Sequence, residues 1–404
     1  MTNSIEHVGV ITHCEVCDGK TLIPVLDLGG QPLCDDLIPV GNPAEATRYP
    51  VELLACPTCV TVHQKFQVEK RILFPQTYHY RAAMTQDVLD GMAELVDLAK
   101  GRLGDLSDKV VVDIGCNDGS LLNIFKTRAG AKTTVGIEPT GAAVDAAPRV
   151  DHVINDFFGA AAVDTYLAKH PKPDIITFTN VFAHIEDLDA VISALNTLKS
   201  DKTLLIIENH YLGAVMERNQ FDTFYQEHPR TYSYRSFEFI ARKLGMTITH
   251  VDFPQRYNGN IRVVLQTGGE PAQCTVDESG FIDDFAAMKT YIDDYKVKIR
   301  ARLEELVKEH GKLPGKAFPG RASILMTYFG IDENIISATY ERTGSMKIGY
   351  YVPGTRIPIR DEAEFFANQD ASPVLVNLAW HIKAEIHNFL RGKGYQGEIV
   401  ELFS

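Results

Sequence analysis

The chain has 404 residues, enough for two or three domains. Its apolar content of 45% and charged content of 23% are those of an ordinary globular protein, and its net charge of −13 argues against a general nucleic-acid binder. That balance still leaves room for a small anionic substrate held by a few local Arg or Lys residues. No apolar run reaches the roughly 18 residues of a membrane span. The opening residues, MTNSIEHVG, lack a signal-peptide core, so the expected compartment is the cytoplasm, where thiols stay reduced.

Residues 1–68 read as a cysteine module. Cys14 and Cys17 form one C-x-x-C pair, and Cys56 and Cys59 form another. A two-residue spacer lets both sulfurs of a pair face one tetrahedral ion, and four thiolates fill a zinc shell with no position left for a substrate. The expectation is a structural Zn²⁺ in a small β-rich knuckle, with strands over 22–28 and 51–54. Cys34, Cys116 and Cys274 read as small buried residues.

Residues 69–280 read as a second unit. Apolar residues at helical spacing predict a helix over 83–100. An alternation follows, with strands expected at 109–114, 133–138, 174–178, 203–208, 246–252 and 261–266, and helices at 119–127, 187–199 and 234–243. That order implies a mostly parallel, doubly wound α/β sheet. Its first strand runs into a loop in VVVDIGCNDGSLL. Val110, Val111 and Val112 suit a buried parallel strand, Gly115, Asn117 and Gly119 form the loop, and Leu121 and Leu122 begin a helical face. Glycines let a ligand approach the backbone, and Glu138, in GIEPT at the next strand end, can accept two ribose hydroxyls. The spacing differs from the G-x-G-x-x-G of pyrophosphate binders. Asp113 would repel a phosphate but suits a cationic or amino-acid-bearing cofactor. Asn155, Asp156 and Phe157 follow another short apolar stretch, where an acid beside an aromatic ring can hold adenine. Asn180 lies just past the strand at 174–178, where this architecture places its ligands.

The segment FDTFYQEHPRTYSYRSF, residues 221–237, concentrates Tyr225, Glu227, His228, Arg230, Tyr232 and Tyr234. So many polar aromatic and ionisable groups suggest a site wall. His184, in VFAHIED, is either a packed histidine or a second site group. Residues 281–404 form a third unit. A long helix is expected over 281–307, its apolar stripe serving a coiled-coil dimer or, more plainly, packing between domains of one chain. GKAFPGRASILMTYFG then reads as strand, tight loop and helix, and SPVLVNLAWHI and GEIVELF supply two more strands.

The stretch from Val110 to Glu138 resembles the first motif of class I methyltransferases, which bind S-adenosylmethionine (SAM). With the two cysteine pairs, YHYR, NVFAHI, ENHYL, FDTFYQEHPRTYS and PGTRIPI, the order of motifs resembles the nucleotide-sugar C-methyltransferase family over roughly residues 12–400. The resemblance implies a class I SAM-methyltransferase (Rossmann-like) domain between an N-terminal zinc-binding module and a C-terminal Rossmann-like α/β domain. It implies SAM and structural Zn²⁺ as cofactors, with Cys14, Cys17, Cys56 and Cys59 as zinc ligands. Tyr225, Glu227 and His228 match the active-site segment, His228 as the base, and His184 matches a second active-site histidine. Tyr78 and Tyr80 match aromatic residues that line the cofactor and substrate cleft.

The implied reaction is methylation at C-3′ of a dTDP-4-keto sugar. A ketone makes the neighbouring C–H removable, and a base titrating near neutrality suits the resulting enolate chemistry. The sequence departs from the family at Ala82 and Ala83, in place of a Ser pair, in YNGNIR, which holds Asn260 and Arg262, in FPGRAS, which holds Arg321, in YERTGSMKIG, and at Arg356, in place of His. These positions fall where sugar and nucleotide would bind. The expected partner is a dTDP- or GDP-linked keto sugar, with no nucleic acid and no membrane, and the protein a monomer or weak dimer. Two alternatives remain: an O- or N-methyltransferase on a nucleotide sugar, and a non-catalytic zinc-containing scaffold of SAM-binding fold.

Overall fold

A computed structural model describes residues 7–84 and 86–404, apart from the side chains of Met84 and Tyr257. Its centre is a seven-stranded sheet in the spatial order Thr247–Asp252, Asn260–Gln266, Leu204–His210, Ile175–Thr179, Val110–Ile114, Thr133–Ile137, His152–Ile154. Asn260–Gln266 runs antiparallel to both neighbours, and the other pairings are parallel. Val110–Ile114 is buried along its whole length because both faces are covered. Val111, Ile175 and Ile206 pack under the helices Gln86–Leu103 and Ser120–Ala129. Val112, Ile176 and Ile207 face the core shared with Leu188–Leu198 and Tyr234–Lys243. The chain order reverses between Val110–Ile114 and Ile175–Thr179, so the ligand crevice of this sheet lies at their carboxyl ends.

The N-terminal strands Ile23–Pro32, Arg48–Ala55 and Val62–Gln64 form an antiparallel sheet whose fourth strand is Arg230–Thr231, from the far side of the chain. The segment after His228 is thus stitched into the cysteine module. The C-terminal unit is a five-stranded parallel sheet, Ile359–Asp361, Ile336–Glu341, Leu313–Lys316, Val374–Asn377, Glu398–Glu401. The sequence pattern left Ile336–Glu341 and Ile359–Asp361 unassigned.

The long helix spans Asp284–His310 and buries Phe285, Met288, Ile292, Ile299, Leu303 and Leu306 in one core with Leu26, Leu28, Leu313 and Ile336. Its stripe therefore joins the N-terminal and C-terminal sheets of the same chain. Among the described residues no helix is long and apolar enough to cross a membrane.

Candidate active site

The two cysteine pairs fold as matching knuckles. Asp18 and Val60, each following a pair, adopt left-handed backbone and donate their N–H groups to the carbonyls of Cys14 and Cys56. All four sulfurs lie within 4.8 Å of one another, with Cys14–Cys59 at 3.4 Å and Cys17–Cys56 at 3.5 Å. A zinc tetrahedron with Zn–S near 2.3 Å has sulfur–sulfur edges of about 3.8 Å, so this donor set fits a closed zinc shell. The knuckle also grips the candidate active-site segment. The Ser233 and Ser236 hydroxyls donate to the Cys59 carbonyl at 3.2 and 3.3 Å, and buried Arg230 pairs with Glu15 at 2.6 Å.

At the crevice, Gly115 has a φ of +69° and lies hard against Val181, where a Cβ would meet the valine methyl at 2.4 Å. Glu138 accepts from the Asn117 N–H at 2.9 Å and from the Thr140 N–H and hydroxyl at 2.9 and 2.6 Å. These bonds leave carboxylate lone pairs for ribose hydroxyls. Asn155 donates to the carbonyls of Glu138 and Thr140, tying that strand end to its neighbour. Asp156 accepts the Phe157 N–H, and Lys70 lies 5.0 Å from the Phe157 ring. Asp113 accepts the Thr177 hydroxyl at 2.6 Å, and burial pushes its carboxyl up to about 7. The segment 76–83 runs over this cradle: Gln76 donates to the Pro139 carbonyl, and Asn117 accepts the Ala82 N–H while donating to the Tyr80 carbonyl. The glycine loop and strand ends, built from backbone donors and an acid at the ribose position, fit SAM.

Beside it, three imidazoles converge. The His228 ring lies 4.8 Å from His184, 5.4 Å from His210 and 4.2 Å from Tyr225, centroid to centroid. His228 Nδ1 lies 2.9 Å from the Thr223 carbonyl. A carbonyl only accepts, so Nδ1 carries the proton and Nε2 keeps the lone pair. Burial, then the neighbouring His184 and His210, hold His228 well below the usual histidine range. Burial likewise pushes His184 down to about 4 and His210 down to about 3.

Glu227 turns away from His228 and accepts from the Tyr78 hydroxyl at 3.1 Å. Burial, then the charge of Asp35, push its carboxyl up to about 8. Arg321 enters from the C-terminal unit, forks onto Asp222 at 2.6 and 2.7 Å, and contributes to the depressed titration of His210, His228 and His381.

The structure thus brings Tyr78, His184, Tyr225, Glu227, His228 and Arg321 to one wall. It does not bring Arg262 and Arg356 there. Arg262 is 3% exposed and paired with Glu208 at 2.6 Å and Asp252 at 3.2 Å, so no donor face is left for a nucleotide. Arg356 donates to the carbonyls of Asn42, Pro43 and Ala44, clipping the C-terminal unit to an N-terminal loop. Asn260 turns to Asn180 and Glu208. Sequence reasoning missed His210, although ENHYL puts an imidazole at a strand's carboxyl end. It also missed the Thr223 carbonyl, whose role no side-chain pattern could show.

The sequence matches family models for a zinc binding domain over residues 14–74, a methyltransferase domain over 80–251 and a C-methyltransferase C-terminal domain over 264–399. It is 27% identical to C-methyltransferase NovU of Streptomyces niveus over 394 residues, 93% of this chain and 91% of that one. Among solved structures, it is similar to magnesium protoporphyrin IX methyltransferase (ChlM) of Synechocystis PCC 6803 with bound SAM, at 16% identity and a TM-score of 0.33, covering 44% of this chain and 79% of that one. A SAM-dependent methyltransferase of Clostridium acetobutylicum gives 12% identity and a TM-score of 0.36, covering 45% and 92%. With the three domain matches in this order and a C-methyltransferase relative along nearly its full length, the chain is a SAM-dependent C-methyltransferase with an N-terminal zinc-binding domain.

Proposed function

We propose that the protein methylates the carbon beside the ketone of a nucleotide-linked 4-keto-deoxysugar, at C-3′, with His228 as the base. The observation that carries this reading is the buried His228 imidazole, pinned through Nδ1 to the Thr223 carbonyl with Nε2 left as acceptor. A C-methyltransferase needs a carbanion-like nucleophile, and a neutral imidazole among aromatic groups is a base suited to making one.

In this reading Nε2 takes the α-proton, and the C–H electron pair passes into the enolate. Tyr225, whose ring lies 4.2 Å from that of His228, would donate to the developing enolate oxygen. SAM, when bound, supplies the electrophilic methyl group that the nucleophilic carbon takes up. Burial keeps His228 neutral but also weakens it as a base. Glu138 would hold the cofactor ribose, and the four cysteines would hold zinc as framework, outside the chemistry.

Incubation with labelled SAM and a panel of dTDP- and GDP-linked 4-keto-6-deoxysugars tests the reading. The expected product carries the label on carbon. Transfer only to oxygen or nitrogen would overturn it.

A further inference from the structure

Four thiolates around a divalent cation leave a net charge of about −2. Cys14, Cys56 and Cys59 are fully buried, so donors from the protein must stand around the sulfurs in place of water. At Cys14 two such groups face the sulfur. The Cys17 N–H, inside the knuckle, lies at the long distance of 3.5 Å. His63 Nε2 lies at 3.3 Å and comes from outside both knuckles, on the strand Val62–Gln64. The four sulfurs complete the metal shell by themselves, so His63 is not a fifth ligand.

The fold fixes this imidazole in place. Its strand runs between Arg48–Ala55 and Arg230–Thr231, with His63 opposite Leu54 on one side and Arg230 on the other. The ring is fully buried. Its Nδ1 lies 3.4 Å from Glu15 without the alignment of a hydrogen bond, and the Glu15 carboxylate is taken by Arg230 at 2.6 Å and by Gln67 at 2.8 Å. A thiolate only accepts, so Nε2 carries a proton when Cys14 is metal-bound.

We propose that His63 donates its Nε2–H to the Cys14 thiolate and is a positioning residue of the zinc centre, holding that sulfur on the metal. The bond spreads the sulfur's charge into a neutral ring, where no water can do so. It also ties the knuckle to the active-site wall. Arg230, opposite His63 and paired with Glu15, donates to the Ile185 carbonyl beside His184. The Cys14 sulfur, the His63 ring and the His184 loop thus belong to one buried run of contacts. This inference rests on the cysteine cluster binding zinc, and it is independent of which sugar is methylated.

The full-length protein tests it through metal binding. Zinc affinity is read by chelator competition, and the sulfur environment by the thiolate-to-metal charge-transfer band of the cobalt-substituted protein. His63→Leu is expected to weaken zinc binding about tenfold or more, the usual worth of a partner that orients a metal ligand, and to shift that band. His63→Gln, whose amide N–H reaches to nearly the same place, should stay within about threefold of wild type. Wild-type zinc affinity in His63→Leu, or an equal loss in His63→Gln, would overturn the proposal. If His63→Leu does not fold, the cadmium-substituted wild-type protein carries the test. A histidine ring N–H proton should then couple to the cadmium nucleus through the Cys14 sulfur, and a spectrum without that coupling would overturn the proposal. A wild-type protein that bound no zinc would instead overturn the metal reading beneath it.

Discussion

His228 hangs from the backbone of its own segment: its Nδ1 lies 2.9 Å from the Thr223 carbonyl, while adjacent Glu227 bonds Tyr78. The orientation of the proposed base is thus set by a carbonyl, which cannot titrate. In D₂O without SAM, the wild-type protein should exchange the α-hydrogen of the proposed keto-sugar substrate. Replacement of His228 by Ala should slow that exchange by at least about 100-fold, the ordinary worth of a positioned base. Exchange at the wild-type rate would remove His228 from the role.

Glu227 gives a pH dependence of stability with a definite sign. Its carboxyl stands at about 8 in the folded chain against 4.5 in its ordinary state. Between these values the native protein keeps a proton that the unfolded chain has released. The contribution is therefore complete below about pH 4.5 and lost as pH rises through about 8. Glu227→Gln keeps an acceptor for Tyr78 and removes the titration. Urea melts should show this variant gaining on wild type by up to about 1.4 kcal/mol for each pH unit climbed within that window. Parallel curves for the two proteins would show that Glu227 is ionised in the native state.

Short-range features were legible in the sequence where the physics is local. Three β-branched residues before a glycine loop mark Val110–Ile114, and a two-residue spacer marks each knuckle. The stripe of Asp284–His310 could be read because helical periodicity survives any tertiary context. Long-range partners could not be read. Arg262 resembles a substrate arginine until the register of Leu204–His210 against Asn260–Gln266 sets it opposite Glu208. Likewise, nothing local in Arg230–Thr231 shows that two residues complete a sheet begun near the N-terminus.

Zinc should act on catalysis through that sheet. The Cys59 carbonyl receives two serine hydroxyls from the start of Tyr234–Lys243, and His63 and Val62 pair with Arg230 and Thr231. The protein should contain one zinc per chain. Its removal by a chelator should lower the melting temperature and cut α-hydrogen exchange by about tenfold or more, because the His228 segment loses its mooring. Ser236→Ala removes one strand of that mooring and should cost about 1 kcal/mol. Full exchange activity in zinc-free protein would show that the knuckle and the base are uncoupled.

Arg262 offers the clearest separation of framework from site. It lies 2.6 Å from Glu208 and against the carbonyl of Gly91, where a Cβ would collide with the neighbouring Arg256. Arg262→Met should therefore destabilise the fold by about 1–3 kcal/mol, the cost of hydrogen bonds lost at buried Glu208, which keeps Arg256 as its partner. The KM for the proposed nucleotide-sugar substrate in the protein that remains folded should stay within about threefold of wild type, since this guanidinium is spent on Glu208 and Asp252. Pairing Arg262→Met with Glu208→Gln should cost less than the sum of the two single losses, because both changes break the same ion pair. A large rise in KM with unchanged stability would return Arg262 to the substrate site.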